Sequence, residues 1–192
     1  MLVPTDGSGC AALPIPGMVG ESPSLSWSPD GRRIAYTYVP PAGLDASEVH
    51  VIDVTTYQTS TIYSKGGLPA WWPDGKEIAL LGWWEGIPVI DADGSGEIGK
   101  IQIPQGYMVE RVGGNAWSPD GLRWAIYLRN DGPDYKPVAI GIVDRKTLML
   151  STFQVDPTIG EILVWTSDGA ALIAYSIEED GTRSLRRIPV AQ

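Results

Sequence analysis

The 192-residue chain holds one cysteine, one histidine and one phenylalanine. A lone cysteine, Cys10, forms no internal disulfide and no multi-cysteine zinc site, and reads as a packed or inert thiol. A lone histidine, His50, rules out any site that needs two imidazoles. Positive charge is also scarce: 14 basic residues face 23 acidic ones, a formal net charge of −9. Such a field repels phosphates, so nucleic acid and anionic membrane surfaces are poor partners. No apolar run reaches the roughly 18 residues of a membrane-spanning helix, so membrane insertion is not expected. The stretch Met1 to Cys10 has no basic patch followed by an apolar run and does not read as a signal peptide.

Against one Phe stand Trp 8 and Tyr 8, with Gly 23 and Pro 16. This composition favours many short strands joined by tight turns. Four copies of one turn order the chain. They are Trp27-Ser28-Pro29-Asp30-Gly31, Trp71-Trp72-Pro73-Asp74-Gly75, Trp117-Ser118-Pro119-Asp120-Gly121 and Trp165-Thr166-Ser167-Asp168-Gly169. The tryptophans are 44, 46 and 48 residues apart. Proline presets φ, Asp bonds nearby amides, and Gly accepts positive φ to close the hairpin. The last copy lacks the proline, so a softer turn is expected there.

After each turn comes an apolar run, such as Ile34-Ala35-Tyr36 or Ile78-Ala79-Leu80. Two further runs follow before the next tryptophan, for example Val49 to Asp53 and Thr61 to Tyr63. Four strands per unit with no helical period cannot bury both faces alone, and stacking the units around an axis does. The expected fold is all-β: a propeller of about four four-stranded blades. Trp27, Trp71, Trp117 and Trp165 are expected to fill the wedges between blades. Asp30, Asp74, Asp120 and Asp168 are expected to hold the turns.

The W-S-P-D-G-x-x-I-A-Y pattern resembles the TolB-like repeats, a WD-repeat-like β-propeller family, over residues 18 to 190. The resemblance implies a binding platform of stacked blades, or the cap of a prolyl-oligopeptidase-type serine peptidase. It leans toward the bacterial cell envelope or periplasm, and it assigns no catalytic residue.

Blade boundaries are expected at 18–63, 64–104, 105–155 and 156–192, with 1–17 as the end of an incomplete blade. Val3 to Gly9 repeats the logic of Ile90 to Gly96, so residues 10–16 read as a fourth strand and could complete the last blade. Three arrangements follow: a closed four-bladed ring, a part of a larger propeller, or a homodimer completing an eight-bladed ring.

Candidate sites lie in the loops. Trp83, Trp84 and Glu85 fall between the second and third strands of their blade, and adjacent rings on a strand cannot both face the core. Tyr107, Asp131 and Tyr135 fall in loops of the same face. Aromatics mixed with acids suit a peptide, a basic protein segment or a sugar. Asp91, Asp93 and Ser95 match the start of an EF-hand loop, but Gln102 stands where a bidentate Glu is needed. A hairpin turn explains these three residues better than calcium.

The chain has no G-x-S-x-G elbow and no phosphate-binding loop. The expectation is therefore a non-catalytic binding platform for a protein or peptide, with no cofactor. The alternative is the propeller portion of a larger enzyme whose catalytic domain lies elsewhere.

Overall fold

A computed structural model describes residues 12–13, 15, 25–82, 86–109, 116–130, 137–155, 159–178 and 180–190. The described elements are strands, apart from one 3-10 turn at Leu44–Ala46. They are β1 (Leu25–Trp27), β2 (Arg33–Tyr38), β3 (Glu48–Asp53), β4 (Thr59–Tyr63), β5 (Leu68–Trp71), β6 (Glu77–Leu81), β7 (Ile87–Asp91) and β8 (Glu97–Ile101). The chain continues through β9 (Tyr107–Val109), β10 (Arg123–Asn130), β11 (Pro137–Asp144), β12 (Leu150–Gln154), β13 (Ile159–Trp165), β14 (Ala171–Ile177) and β15 (Arg183–Pro189).

The strands meander in four sheets, β1-β2-β3-β4, β5-β6-β7-β8, β9-β10-β11-β12 and β13-β14-β15. The last sheet has three strands among the described residues. The chain divides into two compact units, Met1–Leu80 with Ile90–Gly96, and Leu81–Val89 with Glu97–Gln192.

In each sheet the repeated turn lies between the first and second strands, and its chemistry is visible atom by atom. Oδ1 of Asp30, Asp74, Asp120 and Asp168 accepts the amide two residues on, at 3.0 Å in every copy. The glycines sit at φ 68°, 72°, 68° and 67°, a region only glycine enters at no cost. Ser28 and Ser118 donate their hydroxyls to Asp30 and Asp120 and accept the amides of Arg33 and Arg123 at 2.8 and 2.9 Å. In the last copy Thr166 repeats both bonds, to Asp168 and from the Ala171 amide at 3.0 Å. The turn thus keeps its geometry without the proline, and Gly169 closes onto Thr166 as Gly31 closes onto Ser28, both at 2.9 Å. In the second copy Trp72 replaces the hydroxyl residue and is buried in the core instead.

The Asp30, Asp120 and Asp168 carboxyls are held below their ordinary value, first by the Ser28, Ser118 and Thr166 hydroxyls and then by the Arg32, Leu122 and Ala170 amides. A lowered folded pKa means the ionised form stabilises the fold. That contribution is complete above the unfolded value of 3.8 and is lost as pH falls through the lower folded value. Melting temperature is therefore expected to drop steeply below about pH 4. Asp120→Asn should start lower at neutral pH and drop less on acidification, as read by circular dichroism.

In the first unit, Ile34, Tyr36 and Ile52 form one buried cluster, with Leu13, Ile15, Tyr38 and Val54 packed against it. The opposite face of the same sheet reaches β5. Thr37 Oγ1 donates to the Gly67 carbonyl at 2.5 Å, and the Trp71 amide donates to Ser26 Oγ at 2.9 Å. In the second unit, Tyr127, Ile140, Leu163, Trp165 and Leu172 share a buried cluster. Trp165 Nε1 crosses it to donate to the Ala116 carbonyl at 2.8 Å.

Two sequence expectations need correction. Trp27 is 48% exposed, whereas Trp71 and Trp165 are 1% and 7% exposed. The buried pair each lie under an arginine, Arg33 and Arg123 respectively. No such guanidinium covers Trp27 among the described residues. Tyr107 lies on β9, not in a loop, because β10 is eight residues long and its far end, Asn130, pairs with Tyr107.

Candidate functional site

Trp83, Trp84, Glu85, Asp131 and Tyr135 lie outside the described residues, as does Cys10. What surrounds them is defined. The Trp83–Glu85 segment is bracketed by Gly82 at φ 106° and Gly86 at φ 129°. Gly82 is exposed and Gly86 is buried. Asn130, the last described residue before Asp131, pairs with Tyr107. The topology thus starts the Asp131–Tyr135 segment beside Tyr107. The Tyr107 hydroxyl accepts a hydrogen bond from Gln154 Nε2 at 2.7 Å, which fixes the ring against β12.

Asp91, Asp93 and Ser95 come together as a hairpin. Asp91 Oδ1 accepts the Asp93 amide at 3.1 Å, and Asp93 Oδ1 accepts the Ser95 amide at 2.7 Å. Those amides spend one oxygen of each carboxylate on the turn. The Ser95 amide is also the main reason the Asp93 carboxyl titrates below its ordinary value. Among the described residues, no group of three His, Cys, Asp or Glu side chains is placed to hold a metal ion.

His50 is held by its own sheet. Its Nε2 lies 2.7 Å from Glu48 Oε2 and 3.1 Å from Thr61 Oγ1. Its ring stacks on Tyr38 at 4.8 Å with an interplanar angle of 28°. Residues 48 and 50 share a face because strand side chains alternate, so this grouping was readable from the i, i+2 spacing.

Two features carry weaker sequence signals. Arg33 and Arg123 each stand six residues after a repeat tryptophan and each reach into the neighbouring sheet. Their Cζ atoms lie 4.7 Å from the ring centroids of Trp71 and Trp165. Their Nη2 atoms donate to the carbonyls of Gly75 at 3.2 Å and Gly169 at 2.8 Å. The equivalent positions in the other copies are Glu77 and Ala171, which hides the pattern. The second feature is a cleft of about 450 Å³ in the second unit, lined by Arg123, Ile142, Asp144, Ser151, Phe153, Pro189 and Val190.

Four antiparallel sheets, each carrying the same turn between its first two strands, define an all-β repeat protein: a β-propeller of about four blades. No family model matches the chain. The Tol-Pal system protein TolB of Alcanivorax borkumensis is 38% identical over 58 residues, which is 30% of this chain and 13% of that protein. TolB from Acinetobacter baumannii matches in structure with a TM-score of 0.57 and 17% identity, over 88% of this chain and 44% of that one. An oligogalacturonate lyase in complex with manganese matches with a TM-score of 0.61 and 16% identity, over 83% of this chain and 51% of that one. The Kuenenia stuttgartiensis hydrazine synthase gives 0.59 and 20%, over 91% and 49%. The chain thus spans about half the length of these solved structures, and their identities speak to fold alone. The chain is thus similar to TolB in sequence over those 58 residues and in its propeller fold. No helix among the described residues is long and apolar enough to cross a membrane.

Proposed function

We propose that the chain is a non-catalytic propeller module that recognises a protein or peptide through loops at one end of its blades. The observation behind this reading is the fate of eight of its 23 acids. The carboxyls of Asp30, Asp53, Asp93, Asp120, Asp144, Asp168, Glu178 and Asp180 all lie below their ordinary values. Turn amides and hydroxyls hold all of them except Glu178, which is held chiefly by Arg186. General acid–base work needs the opposite, a group poised near the working pH. These acids serve the fold, and the net charge of −9 favours a basic segment as ligand. A relative named for the Tol-Pal system supports a protein partner.

The recognition residues under this reading are Trp83, Trp84 and Glu85, with Tyr107, Asp131 and Tyr135. Binding of a peptide array by fluorescence anisotropy tests it. Bound peptides should be basic, and Trp84→Ala should weaken them by about tenfold or more, the scale of an aromatic hot spot. Unchanged affinity across the array would remove the loop site.

A second reading, the propeller portion of an enzyme, is favoured by the likeness to oligogalacturonate lyase. Incubation with oligogalacturonate and manganese decides between them. No unsaturated product is expected, and its formation would overturn the module reading.

A further inference from the structure

Eight Asp-Gly pairs stand in this chain. Asp-Gly is the dipeptide most open to one slow covalent change, because glycine has no Cβ to hinder it. The glycine nitrogen attacks the aspartate Cγ, so an N–Cγ bond forms and a Cγ–O bond breaks. The amide proton leaves with the carboxyl hydroxyl as water. Water then opens the succinimide ring, and opening at the main-chain carbonyl gives isoaspartate. The new residue has one more methylene in the main chain and one fewer in the side chain. A turn built on the aspartate side chain does not survive that change.

Six of the pairs fall in described turns: Asp30-Gly31, Asp74-Gly75, Asp93-Gly94, Asp120-Gly121, Asp168-Gly169 and Asp180-Gly181. Asp6-Gly7 and Asp131-Gly132 lie outside the described residues. All six turns occupy both reactants in the same way. Each glycine amide donates to the carbonyl three residues back, at 2.8 to 3.1 Å. Each aspartate Oδ1 accepts the amide two residues on, at 2.7 to 3.0 Å. Ser28, Ser118 and Thr166 add a hydroxyl to the carboxylates of their own turns. The nitrogen must therefore break a hydrogen bond to give up its proton, and the carboxyl must leave an amide to turn toward it. The same bonds hold Asp30, Asp93, Asp120, Asp168 and Asp180 below their ordinary values. The ionised form they favour is the less reactive one.

We propose that these turns are also a chemical guard: they hold the glycine amide and the aspartate carboxylate on separate partners, so the six pairs do not cyclise while the chain is folded. Isoaspartate at these positions then arises only in chains whose turns have opened. This inference is independent of the recognition reading.

The test is to age the intact chain at neutral pH, folded and in urea, and to measure isoaspartate at each pair. Isoaspartyl methyltransferase labelling and mass spectrometry of proteolytic peptides give the rate at every turn. Each site is compared with itself, so neighbouring side chains cancel. All six should form isoaspartate at least about tenfold more slowly in the folded chain, the factor expected when two hydrogen bonds must break first. A ratio below about tenfold at any of the six overturns the guard. Thr166→Val removes one donor to Asp168 and should raise the folded rate there by about threefold or more, while Asp30 and Asp120 keep theirs. An equal rise at all three would show that opening of the whole fold, not the turn's own bonds, sets the rate, and would likewise overturn it.

Discussion

Trp71→Ala is expected to lower the unfolding free energy by about 4 kcal/mol, within the range for deleting a buried tryptophan. The ring is 1% exposed, carries Arg33 at 4.7 Å, and is anchored through its amide to Ser26 Oγ. Its removal leaves a cavity and strips a cation of its π partner at the same time. Trp27→Ala should cost about 1 kcal/mol, because half of that ring is already in water. The comparison isolates what the neighbouring sheet contributes, since both residues stand at the same turn position. Trp71→Phe should recover most of the loss. It keeps an aromatic face for Arg33 and removes an indole N–H that has no acceptor among the described residues.

A double-mutant cycle of Arg33→Met with Trp71→Phe should give a coupling below about 1 kcal/mol, because the ring survives. Arg33→Met with Trp71→Ala should give about 1–2 kcal/mol, the scale of a desolvated cation–π contact. Urea denaturation monitored by circular dichroism measures all of these. A Trp71→Ala cost near that of Trp27→Ala would mean that the buried interface does not bear on stability.

These values also mark where the sequence was legible. The four turns marked the step from the first to the second strand of each sheet, because Asp and Gly have a local reason to sit there. Strand alternation then placed Ile34, Tyr36 and Ile52 on one face. Nothing local distinguishes Trp27 from Trp71, however. Trp71 is buried where β1 and β2 of the preceding sheet, with Arg33, pack against β5, and Trp27 is half exposed. That is tertiary information. Trp72 was obscured for a related reason: it occupies a turn position that elsewhere holds Ser or Thr, yet its ring is 1% exposed. Tyr107 was misplaced because Met108, Val109 and Tyr107 pair with the far end of an unusually long β10, well before Trp117. The loop residues Trp83, Trp84, Asp131 and Tyr135 were chosen by composition and position. Their flanks, two positive-φ glycines and the Tyr107–Asn130 pair, are the part that the structure adds.

Gly86→Ala should be among the most damaging small substitutions, at about 3 kcal/mol. Two costs add. At φ 129° an L-residue is strained by about 1–3 kcal/mol. A Cβ there would also stand 2.6 Å from the Ile101 carbonyl oxygen, with Lys100 Cγ at 3.1 Å. Ile101 is the last residue of β8, in the sheet whose β7 begins at Ile87. A backbone oxygen in a ladder cannot swing aside as a side-chain tip can, so relief means shifting the strand. Gly82→Ala is the matched control. Its φ is 106°, but nothing lies within 4 Å of a Cβ, so it should show the backbone strain alone. Gly141→Ala is the converse control. Its Cβ would meet Leu150 Cδ1 at 2.6 Å, Ile126 Cγ1 at 3.1 Å and Leu128 Cδ1 at 3.4 Å without positive φ, all of them side-chain atoms, so the cost should be that of overpacking alone, about 1–3 kcal/mol.

Thermal and urea melts rank the three. Equal losses at Gly82 and Gly86 would show that the Ile101 contact is relieved without cost. The same pair bears on recognition, because these glycines set the entry and exit of the Trp83–Glu85 segment. If that segment binds peptide, Gly82→Ala should weaken binding more than it weakens folding, since its strain falls on the loop and not on the ladder. A Gly82→Ala variant that binds the basic peptides with unchanged affinity would place recognition away from the Trp83–Trp84 pair.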